Sequence, residues 1–243
     1  MTSVPKPLKF LRGHYAGLKE YYGTLKKKSA IRGILADIIS VLAMTASERN
    51  SMETLRYRLE SGNQDISMWG HEYIRHLSSE IGEEYMRRIS QDIIEDLSNL
   101  MDLVEKIVPW NMAHNAEPEA VDLCLEVDRL DLVEKHVDLA NCDRTCLYLL
   151  SCCSYLPEPD DQNGMLCAYR SYISLGLFTN ALRVSLRIGD VDLMAQAMAN
   201  TEDNVEKKQI AYILGDCRIW IDLAYEDVAD DETVVEELQA IMG

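Results

Sequence analysis

AVDLCLEVDRLDLV (Ala120–Val133) and ALRVSLRIGDVDLM (Ala181–Met194) spell one pattern twice, Ala-Ω-x-Ω-x-Leu-x-Ω-x-x-Ω-x-Leu-Ω with Ω any apolar residue, at an offset of 61 residues. In that register Leu125 falls on Leu186 and Leu132 on Leu193. A repeat of this length marks stacked helical units, each hiding the apolar flank of the one before it. It argues against a chain built around one enclosed enzyme pocket.

Helical spacing extends outward from the repeat in both directions. Between Ser90 and Val108, Ile93, Leu97, Leu100, Val104 and Ile107 advance by four, three, four and three, with Ile94, Met101 and Val108 alongside. Pro109 is expected to end that helix. Ile31, Ile34, Leu35, Ile38, Ile39, Leu42 and Ala46 cover so wide an arc that their helix should be buried on most sides, which obliges Asp37 to face water or a partner. Helix starts are read at Thr45 with Glu48 (a capping box), Ser90, Asn115 and Asn141. Helix stops are read at Gly189, followed by Asp190 as the next N-cap, and at Gly215. No alternating strand pattern, hairpin dipeptide or glycine-bounded Val/Ile/Thr run is found.

These signals predict an all-α fold, a solenoid-like array of short antiparallel helix pairs, roughly a dozen helices of about ten residues each. The chain reads as a single arm over 1–243, with a first part at 1–156, an exposed Pro/Asp/Gly-rich loop at 157–164, a second part at 165–223 and an acidic tail at 224–243. Asp222 to Glu237 carries eight acids and no base, so it is expected to fray or to run on into further sequence.

Composition narrows the function classes. A chain of 243 residues buries about 70% of its unfolded surface, enough for a core without disulfides. Seven cysteines, an odd number with Cys152 and Cys153 adjacent, read as reduced thiols of an intracellular protein. The longest uncharged run, Thr145 to Pro157, has thirteen residues, short of the roughly 18 that suggest a membrane span. Net charge is −17, divided into +7 over residues 1–58 and −24 over the rest. An acidic body of this kind repels nucleic acid, which leaves Lys6, Lys9, Arg12, Lys19, Lys26, Lys27 and Lys28 as the one place a phosphate could bind. The plainer reading of that end is a solvated face or a dock for an acidic neighbouring segment, with Lys26 to Lys28 a loop tip. Neither a nucleic acid nor a membrane is expected as partner.

His71-Glu-Tyr-Ile-Arg-His76 evokes a zinc-protease helix, yet its histidines are five residues apart instead of four. On a helix that separates the imidazoles by about 140°, too far to share a metal. A core stripe of Trp69, Tyr73, Leu77 and Ile81, with Glu72 pairing to His76 and Arg75 on the wet side, explains the segment better. Cys142 and Cys146 can share a helical face, but no second pair has zinc-ribbon spacing, so they and Cys152 and Cys153 read as small apolar core groups beside Leu147 to Leu150. His114 is the histidine best placed to be held by a turn. With no phosphate loop, no nucleophile elbow and no paired carboxylates in apolar settings, no catalytic, cofactor-binding or metal residue is assigned, and no enzyme is expected. Partner-binding residues are likewise left unassigned.

Five strings carry a family resemblance: SVPKPLKFLRGHY (Ser3–Tyr15), DIISVLAMT (Asp37–Thr45), WGHEYIRHL (Trp69–Leu77), IVPWNMAHNAEPEA (Ile107–Ala120) and CLYLLSCCSYLPEP (Cys146–Pro159). Together they resemble the large non-ATPase scaffold subunits of the proteasome regulatory particle base, in order from the first residues to about Leu223. What the resemblance implies is a fragment, since those subunits are several times longer and continue into a closed toroid of proteasome/cyclosome repeats. Their docking surfaces for ubiquitin and ubiquitin-like shuttle receptors, and their main contact with the ATPase ring, belong to the toroid, so no docking residue carries over. The implied role is a non-catalytic scaffold segment in ubiquitin-dependent protein degradation, in cytoplasm and nucleus. Its partners would be the regulatory particle subunits and its own toroid, with the stacking carried by Trp69, Tyr73, Trp110 and the two repeat pairs. Gly23 to Ala30 and Asp216 to Trp220 depart from the family pattern. The alternative is a helical-repeat adaptor of another assembly, which predicts a groove rich in Asn, Lys and Arg.

Overall fold

The computed structural model describes residues 6–26, 29–48, 51–62, 65–91, 97–222 and 232–243. Among the described residues there are α-helices and short 3-10 turns and no strand. The chain divides into two compact units, Met1–Leu132 and Val133–Gly243.

Unit 1 contains α1 (Lys6–Leu11), α2 (Tyr15–Thr24), α3 (Ala30–Ala46), α4 (Glu53–Ser61), α5 (His71–Ser90), α6 (Ser98–Ala113) and α7 (Glu117–Glu126), and α8 (Asp131–His136) spans the division. Each helix packs mainly on a near neighbour in sequence: α2 on α3, α3 on α4, α6 on α7, and α5 on α6 and α7. The core runs through Ile39 and Leu42 of α3, Tyr73, Leu77 and Ile81 of α5, Leu100, Val104 and Ile107 of α6, and Val121 of α7, all fully buried. The spacing of Leu100, Val104 and Ile107 was legible in the sequence. Ile93 and Ile94, read as part of the same helix, lie outside the described residues.

Unit 2 contains α9 (Cys142–Cys152), α10 (Asp160–Ser174), α11 (Phe178–Ile188), α12 (Val191–Ala199), α13 (Asn204–Asp216) and α14 (Glu232–Met242). Here too packing follows chain order, α9 on α10, α10 on α11, α11 on α12 and α13 on α14. The joint between α11 and α12 is the one the sequence spelled. Gly189 takes φ +81° to turn the chain, and Asp190 Oδ1 accepts from the backbone N–H of Asp192 and Leu193 at 2.9 and 3.2 Å.

The repeat survives in three dimensions as matched burial. Ala120 and Ala181 are fully buried, as are Val121 and Leu182, and Leu123 and Val184 nearly so. Leu125 and Leu186, the residues on which the repeat was anchored, are only half-buried in both copies. The invariant face is therefore the one through Ala120/Ala181 and Val121/Leu182.

Several expected boundaries move. Thr45 is inside α3, so the Thr45–Glu48 capping box does not form; Ser90 ends α5 instead of starting a helix, its hydroxyl donating to the Arg87 carbonyl at 2.9 Å. Pro109 sits inside α6. A proline removes one helical hydrogen bond, and the burial of Val108, Asn111 and Met112 around it keeps the helix going. Ile31 and Ile34 remain 59% and 54% exposed, so α3 is deeply buried only from Leu35 onward. Asn115 adopts φ +57° ahead of α7, and Asn141 precedes α9 without capping it by its side chain, which accepts from the Asp138 N–H instead.

The proposed loop 157–164 is mostly helix, because Asp160 to Gly164 form the first residues of α10, where Asp160 and Asp161 favour the positive end of the helix dipole. Nor is the acidic tail wholly a tail. Although residues 223–231 lie outside the described set, α14 buries Leu238 and Met242, and Glu237 pairs with Lys208 of α13 at 2.7 Å. Gly215 is not a stop but the contact point, since a Cβ there would stand 2.8 Å from the Ile241 carbonyl oxygen. Arg218, at φ +56°, makes the turn after α13.

Candidate functional site

The densest buried chemistry lies in unit 1. Arg58 of α4, with its side chain 1% exposed, donates from Nη1 to Asp37 Oδ1 of α3 at 2.5 Å. Trp69, in the 3-10 turn Ile66–Trp69 before α5, donates from Nε1 to Asp37 Oδ2 at 3.0 Å. The sequence required water or a partner for Asp37, and the fold supplies two partners. One turn further along α3, Ser40 Oγ donates to the Thr54 carbonyl at 2.7 Å and meets Tyr73 Oη at 2.7 Å. Glu80 of α5 then accepts from the Leu55 N–H at 2.6 Å and faces His76 Nε2 at 3.1 Å.

Burial pushes the Asp37 carboxyl above its ordinary range while Arg58 and Trp69 pull it back down, and burial raises the Tyr73 hydroxyl. A general acid or base needs reach to a substrate proton. These groups bond to one another across α3, α4 and α5, so the seam fixes helix register.

The two histidines of the zinc-like string part company. His71 opens α5 and packs edge-on against Trp110 and His114 of α6, centroids 4.6 and 6.0 Å apart. His114 stacks on Trp110 at 4.2 Å, its Nδ1 lying 2.7 Å from the Trp110 carbonyl oxygen. His76 turns instead to Glu80, not to Glu72, which stays exposed. Trp69 belongs to the turn and not to the α5 stripe, whose members Tyr73, Leu77 and Ile81 are fully buried. The i, i+4 spacing of Trp110 and His114 was available in the sequence; the arrival of His71 depends on how α5 packs against α6.

In unit 2, Cys142 and Cys146 place their sulfurs 3.8 Å apart inside the α9–α10 contact, and Cys153 and Cys167 are buried as well. Desolvation raises all four thiols, Cys167 to about 12, so they stay protonated and pack as small apolar groups. Among the described residues no group of three or more His, Cys, Asp or Glu could hold a metal.

At the basic end Lys19 and Tyr15 both bond to Glu53, and the Lys19 ammonium lies over the Tyr15 ring at 5.1 Å. Burial opposes ionisation of Glu53, yet the bonds from Lys19 and Tyr15 prevail and lower it. These three residues line an open groove of about 550 Å³ together with Glu20, Ser47 and Glu48. Arg12 donates to the Thr45 carbonyl at 3.3 Å, Lys9 and Lys26 are exposed, and Lys27 and Lys28 lie outside the described residues, as does the Lys6 side chain. The basic segment is thus partly consumed by internal pairing.

A family model described as the RPN1 N-terminal domain matches residues 1–243. The chain belongs to that family. It is 46% identical over 244 residues to the 26S proteasome non-ATPase regulatory subunit 2 homolog B of Arabidopsis thaliana, covering 100% of this chain and 27% of the relative. The corresponding subunit of Dictyostelium discoideum and the regulatory subunit rpn1 of Schizosaccharomyces pombe are each 41% identical, over 95% of this chain and 26% of theirs. The chain spans about a quarter of the length of the curated relatives it matches. No helix among its described residues is long and apolar enough to cross a membrane.

Proposed function

We propose that this chain is a non-catalytic scaffold segment of the proteasome regulatory particle base. The observation that carries this reading is the RPN1 family match over residues 1–243, with 46% identity to a relative named as a non-ATPase regulatory subunit. The buried polar seam supports it, because Asp37, Arg58, Ser40 and Tyr73 bond to one another and lock helices together. Near-neighbour packing gives the scaffold its means: within each unit a helix hides the flank of the next, and the ordered surface that results can hold an attached repeat toroid in place. Through that toroid the protein would engage ubiquitin-like shuttle receptors and the ATPase ring in ubiquitin-dependent degradation, in cytoplasm and nucleus.

The test is affinity capture of the tagged full-length protein, followed by mass spectrometry and peptidase assay. Stoichiometric recovery of ATPase and other regulatory particle subunits is the expected result. Recovery of a vesicle coat or cochaperone complex without proteasome subunits would favour the adaptor alternative and reject the proposal.

A further inference from the structure

Arg187, in the last turn of α11, reaches across unit 2 to the end of α9. Its Nη1 donates to the Leu150 carbonyl at 3.0 Å and its Nη2 to Ser154 Oγ at 2.8 Å. Residues 133–243 carry twenty Asp or Glu against eight Lys or Arg, and two of the other cations there are paired, Arg170 with Glu134 and Lys208 with Glu237. Among the described residues Arg187 has no carboxylate within ion-pair distance; a carbonyl and a neutral hydroxyl face its fork of donors. A guanidinium presents five N–H groups in a plane that fits phosphate oxygens in pairs. The arrangement is an anion seat held by a serine.

That serine is accessible. Ser154 lies in the 3-10 turn Cys153–Tyr155, is exposed, and precedes Tyr155, which is 90% exposed. Glu158, Asp160 and Asp161 follow at four, six and seven residues, the first two exposed and Asp161 half-buried. A kinase whose substrate cleft is basic reads carboxylates on that side of the hydroxyl.

We infer that Ser154 is a phosphorylation site for an acid-directed protein kinase and that Arg187 clamps the resulting phosphate. In the transfer, Ser154 Oγ attacks the γ-phosphorus of ATP and the bond from that phosphorus to the β,γ-bridging oxygen breaks. ADP leaves with the electron pair, and the hydroxyl proton passes to the kinase's base. The product carries about −1.5 to −2 charge and three strong acceptors where a neutral hydroxyl stood. Asp161 and the carbonyl end of α9 oppose a new anion here; the guanidinium already touching Oγ outweighs them by direct, charge-assisted contact. Phosphorylation would then fasten α9 more tightly to α11.

The experiment incubates the full chain with ATP and a purified acid-directed casein kinase, maps the phosphate by mass spectrometry and compares melting before and after. Phosphate is expected on Ser154 in the parent and in Arg187→Met, and at no such position in Ser154→Ala. The parent should gain roughly 2–4 °C in Tm on modification, a gain absent from Arg187→Met. Should Arg187→Met fail to fold, Arg187→Lys keeps the charge without the fork and should show a smaller gain. Ser154 left unmodified overturns the site. A modified parent whose Tm is unchanged or lower, or a gain of equal size in either Arg187 variant, overturns the clamp.

Discussion

Asp37→Ala is the most demanding test of the buried seam. Arg58 has a side chain 1% exposed and Asp37 is 6% exposed, so water cannot replace the carboxylate once it is removed. The substitution takes away the partner at 2.5 Å from Arg58 Nη1 and the acceptor at 3.0 Å from Trp69 Nε1. Breaking a buried ion pair from one side typically costs about 3–5 kcal/mol. Asp37→Asn keeps an acceptor for one donor and loses the charge, so about 1.5–3 kcal/mol is expected. Asp37→Leu with Arg58→Met removes both charges together and should fall within about 1–2 kcal/mol of the parent. Urea unfolding followed by circular dichroism gives the free energies, and tryptophan emission reports Trp69 losing its acceptor. An Asp37→Ala loss under about 1 kcal/mol, or a double variant as unstable as the single one, would refute the view that this pair is dry and mutually dependent.

Leu182→Ala should cost about 2–5 kcal/mol because Leu182 is fully buried, and the half-buried Leu186→Ala roughly half as much; equal losses in chemical denaturation would contradict the matched-burial face. Gly215→Ala, normally favourable in a helix, should instead cost about 1–3 kcal/mol through the clash at the Ile241 carbonyl, seen as faster hydrogen exchange in α14; a stabilised variant would show that α14 does not dock there. Glu84 accepts from Arg87 and Arg88 at 2.7 Å, and the Arg87 bonds with those of Arg88 hold its carboxyl below the usual range against the opposing effect of burial. A lowered folded value means the contribution is present above the ordinary carboxylate pKa and lost as pH falls through the folded one, so Glu84→Gln should cost about 1–2 kcal/mol at pH 7, with half-exposed Arg87 screened, and progressively less in acid. In thiol titration of the native chain, exposed Cys217 should react first and Cys142, Cys146 and Cys167 only on unfolding; rapid labelling of all seven cysteines would mean the α9–α10 core is open.

The repeat, the helical periods and the absence of strand patterns were enough to name an all-α array, because a side-chain period of 3.6 is a local property of the chain. Gly189–Asp190 could be read for the same reason: a left-handed glycine and an aspartate cap act within four residues. Boundaries were harder where distant packing outweighed local preference. Pro109 reads as a stop, and α6 continues past it because Asn111 and Met112 are buried on the far side. Asp160 to Gly164 reads as a loop by composition, although carboxylates are equally at home in the first turn of a helix. At the candidate site, the need of Asp37 for a partner was legible; that Arg58 and Trp69 supply it was not, since nothing local brings residues 21 and 32 positions apart together.

From the sequence alone came the class of fold, the repeat, the family and the lack of a metal-spaced histidine pair, all of which are written in short-range order or in strings that can be compared directly. Tertiary structure decided which of the repeated residues are buried, that His71 joins Trp110 and His114 while His76 turns to Glu80, that α14 docks on α13 at Gly215, and that Arg187 waits beside Ser154. Those contacts depend on the separation and rotation of whole helices, which many side chains fix together and no single stretch of sequence encodes.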